Sequence, residues 1–499
     1  MKTYFFKIIA LLFCFTTSVF AQESNIFHDR SFWKQNPSID IIKKHIKEGH
    51  NATTLNRNAF DAVSWALIEK VDNEIVKYLL SIKGNDVNKL THDGRTYIFW
   101  AAYKDNLEMM EYLVGKGAKT DIIDSHGYSV LNFAAVTGQT NTKLYDFLIR
   151  HGANPITEKN HDGANALLLV APFLKDENLV SYLVSFEVDL KSTDNNGNGI
   201  FSYAAKGGNI KILDWLIEQG VPYKNLNKKG GNAIMLASQG TRRKKNTLST
   251  YEYLERKGLT VNIIGDEGRN PLHSIAYDVE DLNIFKFFLK KGVDINKQDE
   301  NGRSPFMNAA YYNNIEVVEF LSSYVKDFNT KDKDDRTALS MAVSRNSIEV
   351  VKFLIEKGAK VNLVDKEGNS LMYYLLNTFK AKNPEAFKTK LEILTKAGLD
   401  VTKTQGKGKT LLHLAIEKNN LQLLKRVSEF KIDVNAKNKD GLTPLHLAAM
   451  KSKNEEMLKY LISIGADKAI KTDFEETVYD LAKENELLQK HKIDINFLK

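Results

Sequence analysis

A seven-residue phrase, TPLHLAA at 443–449, returns in weakened form along nearly the whole chain, and that recurrence constrains the fold more than any other feature. Aligned on its threonine, the copies begin at Asp61, Thr96, Ser129, Asn165, Gly199, Asn232, Asn270, Ser304, Thr337, Ser370, Thr410, Thr443 and Thr477. Successive heads stand 33 to 40 residues apart. A fixed period of this size marks a stack of similar supersecondary units, each contacting only its neighbours. It overrides the prior of about three domains that the chain length alone sets. No proline-rich or serine-rich linker interrupts the copies, so a single continuous array is expected.

One unit can be read residue by residue. Threonine or serine at the head caps a first helix. Proline in second place, as at Pro271, Pro305 and Pro444, suits a first helical turn, where no amide donor is needed. The alanine pairs Ala101-Ala102, Ala134-Ala135, Ala204-Ala205, Ala309-Ala310 and Ala448-Ala449 keep that helix thin. A bulkier second helix follows, with Val350, Val351, Phe353, Leu354 and Ile355 in one copy. Glycine ends it, as at Gly117, Gly152, Gly292, Gly358 and Gly465. A finger such as DINKQDEN, 294–301, leads to the next head, and most fingers carry glycine two residues before it. Asp335 replaces that glycine once, and aspartate tolerates left-handed φ.

With TLLHLAI at 410–416, NPLHSIA at 270–276 and SPFMNAA at 304–310, these features resemble the ankyrin repeat. The resemblance implies an all-α solenoid: helix-turn-helix units with β-hairpin-like fingers in a curved, elongated array. It also implies that His273, His413 and His446 tie each turn to its neighbour by hydrogen bonds and do no chemistry. The expected divisions are a signal peptide at 1–21, an N-terminal segment and capping half-repeat at 22–57, about 12 tandem repeats at 58–476, and a C-terminal capping repeat at 477–499. Two copies depart from the pattern. Leu375-Leu376 replaces the alanine pair in one, and in another Val170-Ala171 stands there with Pro172 next.

Lys2 and Lys7 precede an apolar run at 8–20, and Val19-Phe20-Ala21 fits a small-residue cleavage site. The run is too short to cross a bilayer comfortably. Cleavage after Ala21 would remove the single cysteine, Cys14, and both lysines, lowering the formal charge from +8 to +6. Such a chain is exported, with the bacterial periplasm the first expectation and the extracellular space the second. So small an excess is not the basic stripe of a nucleic-acid binder.

Motifs for chemistry fail on inspection. GKGKT at 406–410 lacks the upstream glycine of a phosphate loop, since position 403 is Lys403. DKDD at 332–335 lacks the loop glycine and closing glutamate of a calcium loop. No histidine–cysteine cluster has zinc spacing, and no paired carboxylates stand out. No catalytic residue, cofactor or metal is therefore expected, and the chain reads as a non-catalytic binding protein.

The resemblance places variable, exposed positions at the finger tips and just after the alanine pair. Transferred copy by copy, they hold Arg95, Tyr103, Arg269, Tyr277, Arg303, Tyr311, Tyr312, Arg336 and Arg345. Tyrosine and arginine are the types most enriched in binding hot spots. They are the expected contacts for a protein partner, concentrated in the copies headed by Asn270, Ser304 and Thr337. A second expectation rests on the insertion at 240–250, where Arg242, Arg243, Lys244 and Lys245 are consecutive. That loop could meet a polyanion, a glycan or lipid headgroup. The longest insertion is 377–390. No membrane span is expected in the processed chain, and a monomer is.

Overall fold

The computed structural model describes residues 25–499; the expected signal peptide lies outside them. Two compact units divide between Leu190 and Lys191, where the sequence predicts one uninterrupted array. The division follows the least regular copy. There the first helix, Ala166–Val170, is only five residues long and runs into a single 3-10 turn, Ala171–Phe173. Pro172 explains the shortening, because its ring clashes with the preceding turn and it has no amide to donate.

In the first unit, one turn at Arg30–Trp33 and the helix Ile39–Lys47 precede the helix pairs. These include Tyr97–Tyr103 with Leu107–Gly115 and Val130–Val136 with Thr142–Arg150. The second unit continues the scheme from Ile200–Gly207 with Ile210–Glu218 to Val478–Glu484 with Glu486–Lys490. Within each unit, first helices pack on first helices of the next repeat. Small residues permit this: Ala101, Ala102, Ala134, Ala135, Ala309, Ala310, Ala448 and Ala449 are all fully buried. A larger side chain at these places would overpack the layer, at about 1–3 kcal/mol each.

The heads behave as capping residues should. Thr443 Oγ1 accepts the His446 N–H at 3.3 Å, and the Thr443 N–H donates to His446 Nδ1 at 3.1 Å. His446 Nε2 therefore carries the proton, and it donates to Ile470 O at 2.9 Å in the next finger. His413 reaches Leu442 O at 2.9 Å and His273 reaches Arg303 O at 3.1 Å in the same way. The structural role implied for these three histidines is what their geometry provides.

The fingers are not strands. Among the described residues only isolated bridges occur, such as Gln405 with Lys409. A side chain closes most of the loops instead: Asp299 Oδ1 accepts the N–H groups of Asn301 and Arg303 at 2.8 and 3.0 Å. Closure this tight requires left-handed backbone. Gly302 has φ +74°, and a Cβ there would meet Lys333 N of the next finger at 2.9 Å. Asp335 adopts φ 60° in the copy that lacks glycine.

Candidate functional site

The C-terminal ends of the first helices are where neighbouring repeats of the second unit are stitched. Asn313 Nδ2 donates to Ala276 O at 3.1 Å and Val279 O at 2.8 Å. Asn346 donates to Ala310 O and Asn313 O, each at 2.9 Å, and Asn485 to Ala449 O at 2.8 Å. These carbonyls belong to the last turn of the preceding repeat's helix, which has no intrahelical partners for them. In the copy with the 377–390 insertion the bridge is a lysine. Lys390, 6% exposed, donates from Nζ to Asn346 O at 2.6 Å and Val343 O at 3.1 Å. Burial pushes its ammonium below the usual lysine range. A cation at a helix C-terminus faces the negative end of the helix dipole, which favours it there.

Just before these bridges stand the aromatic residues. Tyr277 closes the helix Pro271–Asp278, Tyr311 and Tyr312 close Pro305–Tyr312, and Arg345 closes Ala338–Arg345. The repeat aligns them in one row. Tyr277 and Tyr312 stack with centroids 5.0 Å apart and planes 9° from parallel. The Arg345 guanidinium lies 4.9 Å from the Tyr312 ring and 5.4 Å from Tyr311, and Nη1 meets Tyr311 Oη at 3.4 Å. Tyr312 keeps 48% of its surface exposed. Four of the residues picked from the sequence thus form one cluster.

The basic insertion adjoins it. Lys245 Nζ pairs with Asp278 Oδ1 at 2.9 Å, one residue beyond Tyr277. Lys244 Nζ reaches Gly207 O at 3.5 Å. Burial and the Lys245 charge push the Lys206 ammonium below its usual range. Arg242 and Arg243 are exposed, with no ion-pair partner among the described residues. The result is a strip along consecutive repeats: Lys206, the 242–245 loop, the tyrosine stack, and Arg345.

The tip arginines correct the sequence reading. Arg95 is 7% exposed, not an exposed contact residue. Its guanidinium pairs with Asp124 of the next finger at 2.7 Å and with Asp93 at 3.1 Å, and lies 4.3 Å from the Phe133 ring. Arg269 repeats the forward reach, to Asp299 at 3.2 Å, and Arg303 approaches Asp332 at 3.6 Å. Arg336 turns instead to its own finger, Asp332 at 2.9 Å and Asp334 at 2.7 Å. Burial works against the charge of Asp299, yet the Arg303 N–H and the Arg269 guanidinium outweigh it and hold the carboxyl below its usual range. Arg95, Arg269 and Arg303 brace one finger against the next, and Arg269, Arg303 and Arg336 stay part-exposed. Tyr103 sits in the other unit, its ring 6.1 Å from Phe133 and 4.8 Å from Lys104 Nζ.

Sequence spacing passed over one ligand-type cluster, His45, Glu48 and His50, whose donor atoms lie within 4.8 Å of one another. Nor did it reveal the Lys245–Asp278 pair, 33 residues apart and so one repeat distant. That period is the one signal that could have suggested it. No described helix is long and apolar enough to cross a membrane.

A family model of ankyrin repeats, three copies long, matches residues 34–124, 63–160, 167–263, 204–299, 272–365 and 375–472. The chain belongs to the ankyrin-repeat family. Curated ankyrin-bearing relatives are distant. "Putative palmitoyltransferase ZDHHC13" of Danio rerio is 26% identical over 204 residues, 40% of this chain and 31% of that protein. "Palmitoyltransferase AKR1" of Lachancea kluyveri is 27% identical over 210 residues, 41% of this chain and 28% of that protein. "Protein glp-1" of Caenorhabditis elegans is 29% identical over 164 residues, 30% of this chain and 12% of that protein. The chain thus spans less than a third of the length of each. What they share with it is an ankyrin array.

Proposed function

We propose that this ankyrin protein is a non-catalytic scaffold that binds another protein through the strip running from Lys206 to Arg345. One observation carries the reading: the Tyr277–Tyr312 stack is flanked by Arg345, and Tyr312 keeps 48% of its surface exposed. Stacked tyrosines offer large, rigid contact area at little entropic cost, and arginine adds directional donors. The adjoining Arg242 and Arg243 favour a partner segment rich in acidic residues. The leader-like residues at 1–21 support export, to a bacterial periplasm first.

A site-specific photocrosslinker at Tyr312 tests this in cells. A discrete adduct is expected from position 312 and not from Glu319, exposed on the second helix of the same repeat. Equal capture at both positions would refute the strip. A second reading, a polyanionic glycan or lipid headgroup held by Arg242–Lys245, rests on the two arginines without ion-pair partners. Salt separates the two in degree, because binding by charge alone weakens steeply as ionic strength rises while the tyrosine contacts of the protein reading persist.

A further inference from the structure

Glycine-terminated helices recur throughout both units, and their end turns can be compared with one another. At Gly117, Gly152, Gly258, Gly292, Gly358 and Gly465 the glycine N–H and the next N–H bond back to the helix, folding the residue after glycine over the one five positions earlier. After Leu107–Gly115, the folded pair is Ala118 on Leu113; after Leu248–Arg256, Leu259 on Leu254; after Leu282–Lys290, Val293 on Phe288. All six are buried and apolar, as the packing of such a turn favours.

The turn after Ile39–Lys47 has the same backbone. Gly49 N–H bonds Ile46 O at 3.1 Å, His50 N–H bonds His45 O at 3.0 Å, and Gly49 has φ 98°. Yet the folded pair is His50 on His45, rings 5.5 Å apart. The helix-ending position, a lysine at Lys116, Lys257, Lys291 and Lys357 and His151, Gln219, Ala397 or Ile464 in other turns, is here Glu48. An acid at a helix C-terminus opposes the dipole that those lysines complement. Positions 45 and 50 thus depart together from an apolar pair the chain keeps in its other turns of this kind, Glu48 stands between them, and all three are metal-ligand side chains.

We propose that His45, Glu48 and His50 bind a divalent transition-metal ion of the zinc type. Two imidazoles and a carboxylate are a recognised zinc donor set, with a fourth position left for water or another ligand. His45 Nδ1 already lies 2.9 Å from Glu48 Oε2, and the donors converge within 4.8 Å. Phe27 and Phe32 stand 5.5 to 6.4 Å from the histidine rings, an apolar wall on one side. Lys44 approaches Glu48 at 3.8 Å and would yield to the ion. The Ile26 N–H donates to His50 Nδ1 at 3.3 Å. Ligation by either ring nitrogen requires that long bond to break, because it holds His50 in the tautomer with Nε2 protonated. Metal binding would therefore be felt at the N-terminal segment.

The experiment is calorimetric titration of the purified, tag-free protein with zinc chloride, alongside the variant His45→Leu, His50→Ala. That variant restores the apolar pair of the other turns, so it should fold. Wild type is expected to bind one zinc reversibly to EDTA, with an upward shift in Tm. The variant should lose that event, Glu48→Gln should weaken it about tenfold, and amide exchange at Ile26 should quicken with zinc. Absence of binding in wild type at micromolar metal overturns the proposal, and so does undiminished binding in the folded variant.

Discussion

Asn313 bears more of the joint between repeats than its size suggests. Replacing it by alanine deletes three hydrogen bonds: Nδ2 to Ala276 O at 3.1 Å, Nδ2 to Val279 O at 2.8 Å, and the Asn314 N–H to Oδ1 at 2.8 Å. The side chain is 3% exposed, so water does not reach the two carbonyls unless the joint opens. A hydrogen bond contributes about 0.5–1.5 kcal/mol net, and a buried group left unpaired costs about 1–3 kcal/mol. Asn313→Ala should therefore cost about 2–4 kcal/mol. Asn313→Asp is the sharper probe. It keeps the size and the acceptor but aims a carboxylate at two carbonyl oxygens, so it should cost more than alanine. Urea unfolding followed by circular dichroism gives the stabilities. Hydrogen exchange in Pro271–Asp278 and Pro305–Tyr312 shows whether the array opens at this joint, since repeat arrays can unfold in parts. A loss under about 0.5 kcal/mol, or an aspartate variant as stable as wild type, would refute the account.

Other consequences follow from the same contacts. Burial holds the pKa values of His273, His413 and His446 below the usual histidine range. The unfolded chain therefore binds protons that the folded one refuses: stability is intact above about pH 6.5 and falls as pH drops below it. The slope reaches up to about 1.4 kcal/mol per pH unit for each histidine, and a triple His-to-Gln variant should flatten it in urea titrations at a series of pH values. Lys390→Met strands Val343 O and Asn346 O and should cost about 1–3 kcal/mol; a gain in urea midpoint would mean that burying the ammonium outweighs its bonds. Arg95→Ala leaves Asp124 buried without its guanidinium and should cost about 3 kcal/mol. In the same assay the double change with Asp124→Ala should cost less than the sum of the two single changes, and an additive result would deny the pairing.

Local chemistry was the legible part of the sequence. Threonine heads, Pro271, Pro305 and Pro444, and the finger glycines each specify backbone within a few residues, so period and helix order follow from them. Tyr277, Tyr311, Tyr312 and Arg345 could be found because they occupy two adjacent register positions, seven and eight residues after the head, and a solenoid converts shared register into adjacency. Arg95 misled for a physical reason. Register fixes where a side chain starts, not which way a long flexible one reaches, and a forward aspartate captures it. Lys390 was hidden because its partners depend on how an insertion folds. His45 and His50 were hidden because they meet through a backbone turn and not across one helix face.

Every stitch described between repeats joins a unit to the next in line, at offsets of 29 or 30 residues for Arg95, Arg269 and Arg303 and 33 to 37 for Asn313, Asn346 and Asn485. The natural unit of change is thus a whole repeat. Excising residues 304–336 would lay Asn346 over the carbonyls of Ala276 and Val279 and bring Arg345 against Tyr277. Old bonds would be exchanged for equivalents, with Tyr311, Tyr312 and Arg336 gone from the candidate contacts. Removing a single residue from the same stretch offers no such exchange. A chain built this way can lengthen, shorten and re-tune its aromatic row by recombination while its seams stay closed.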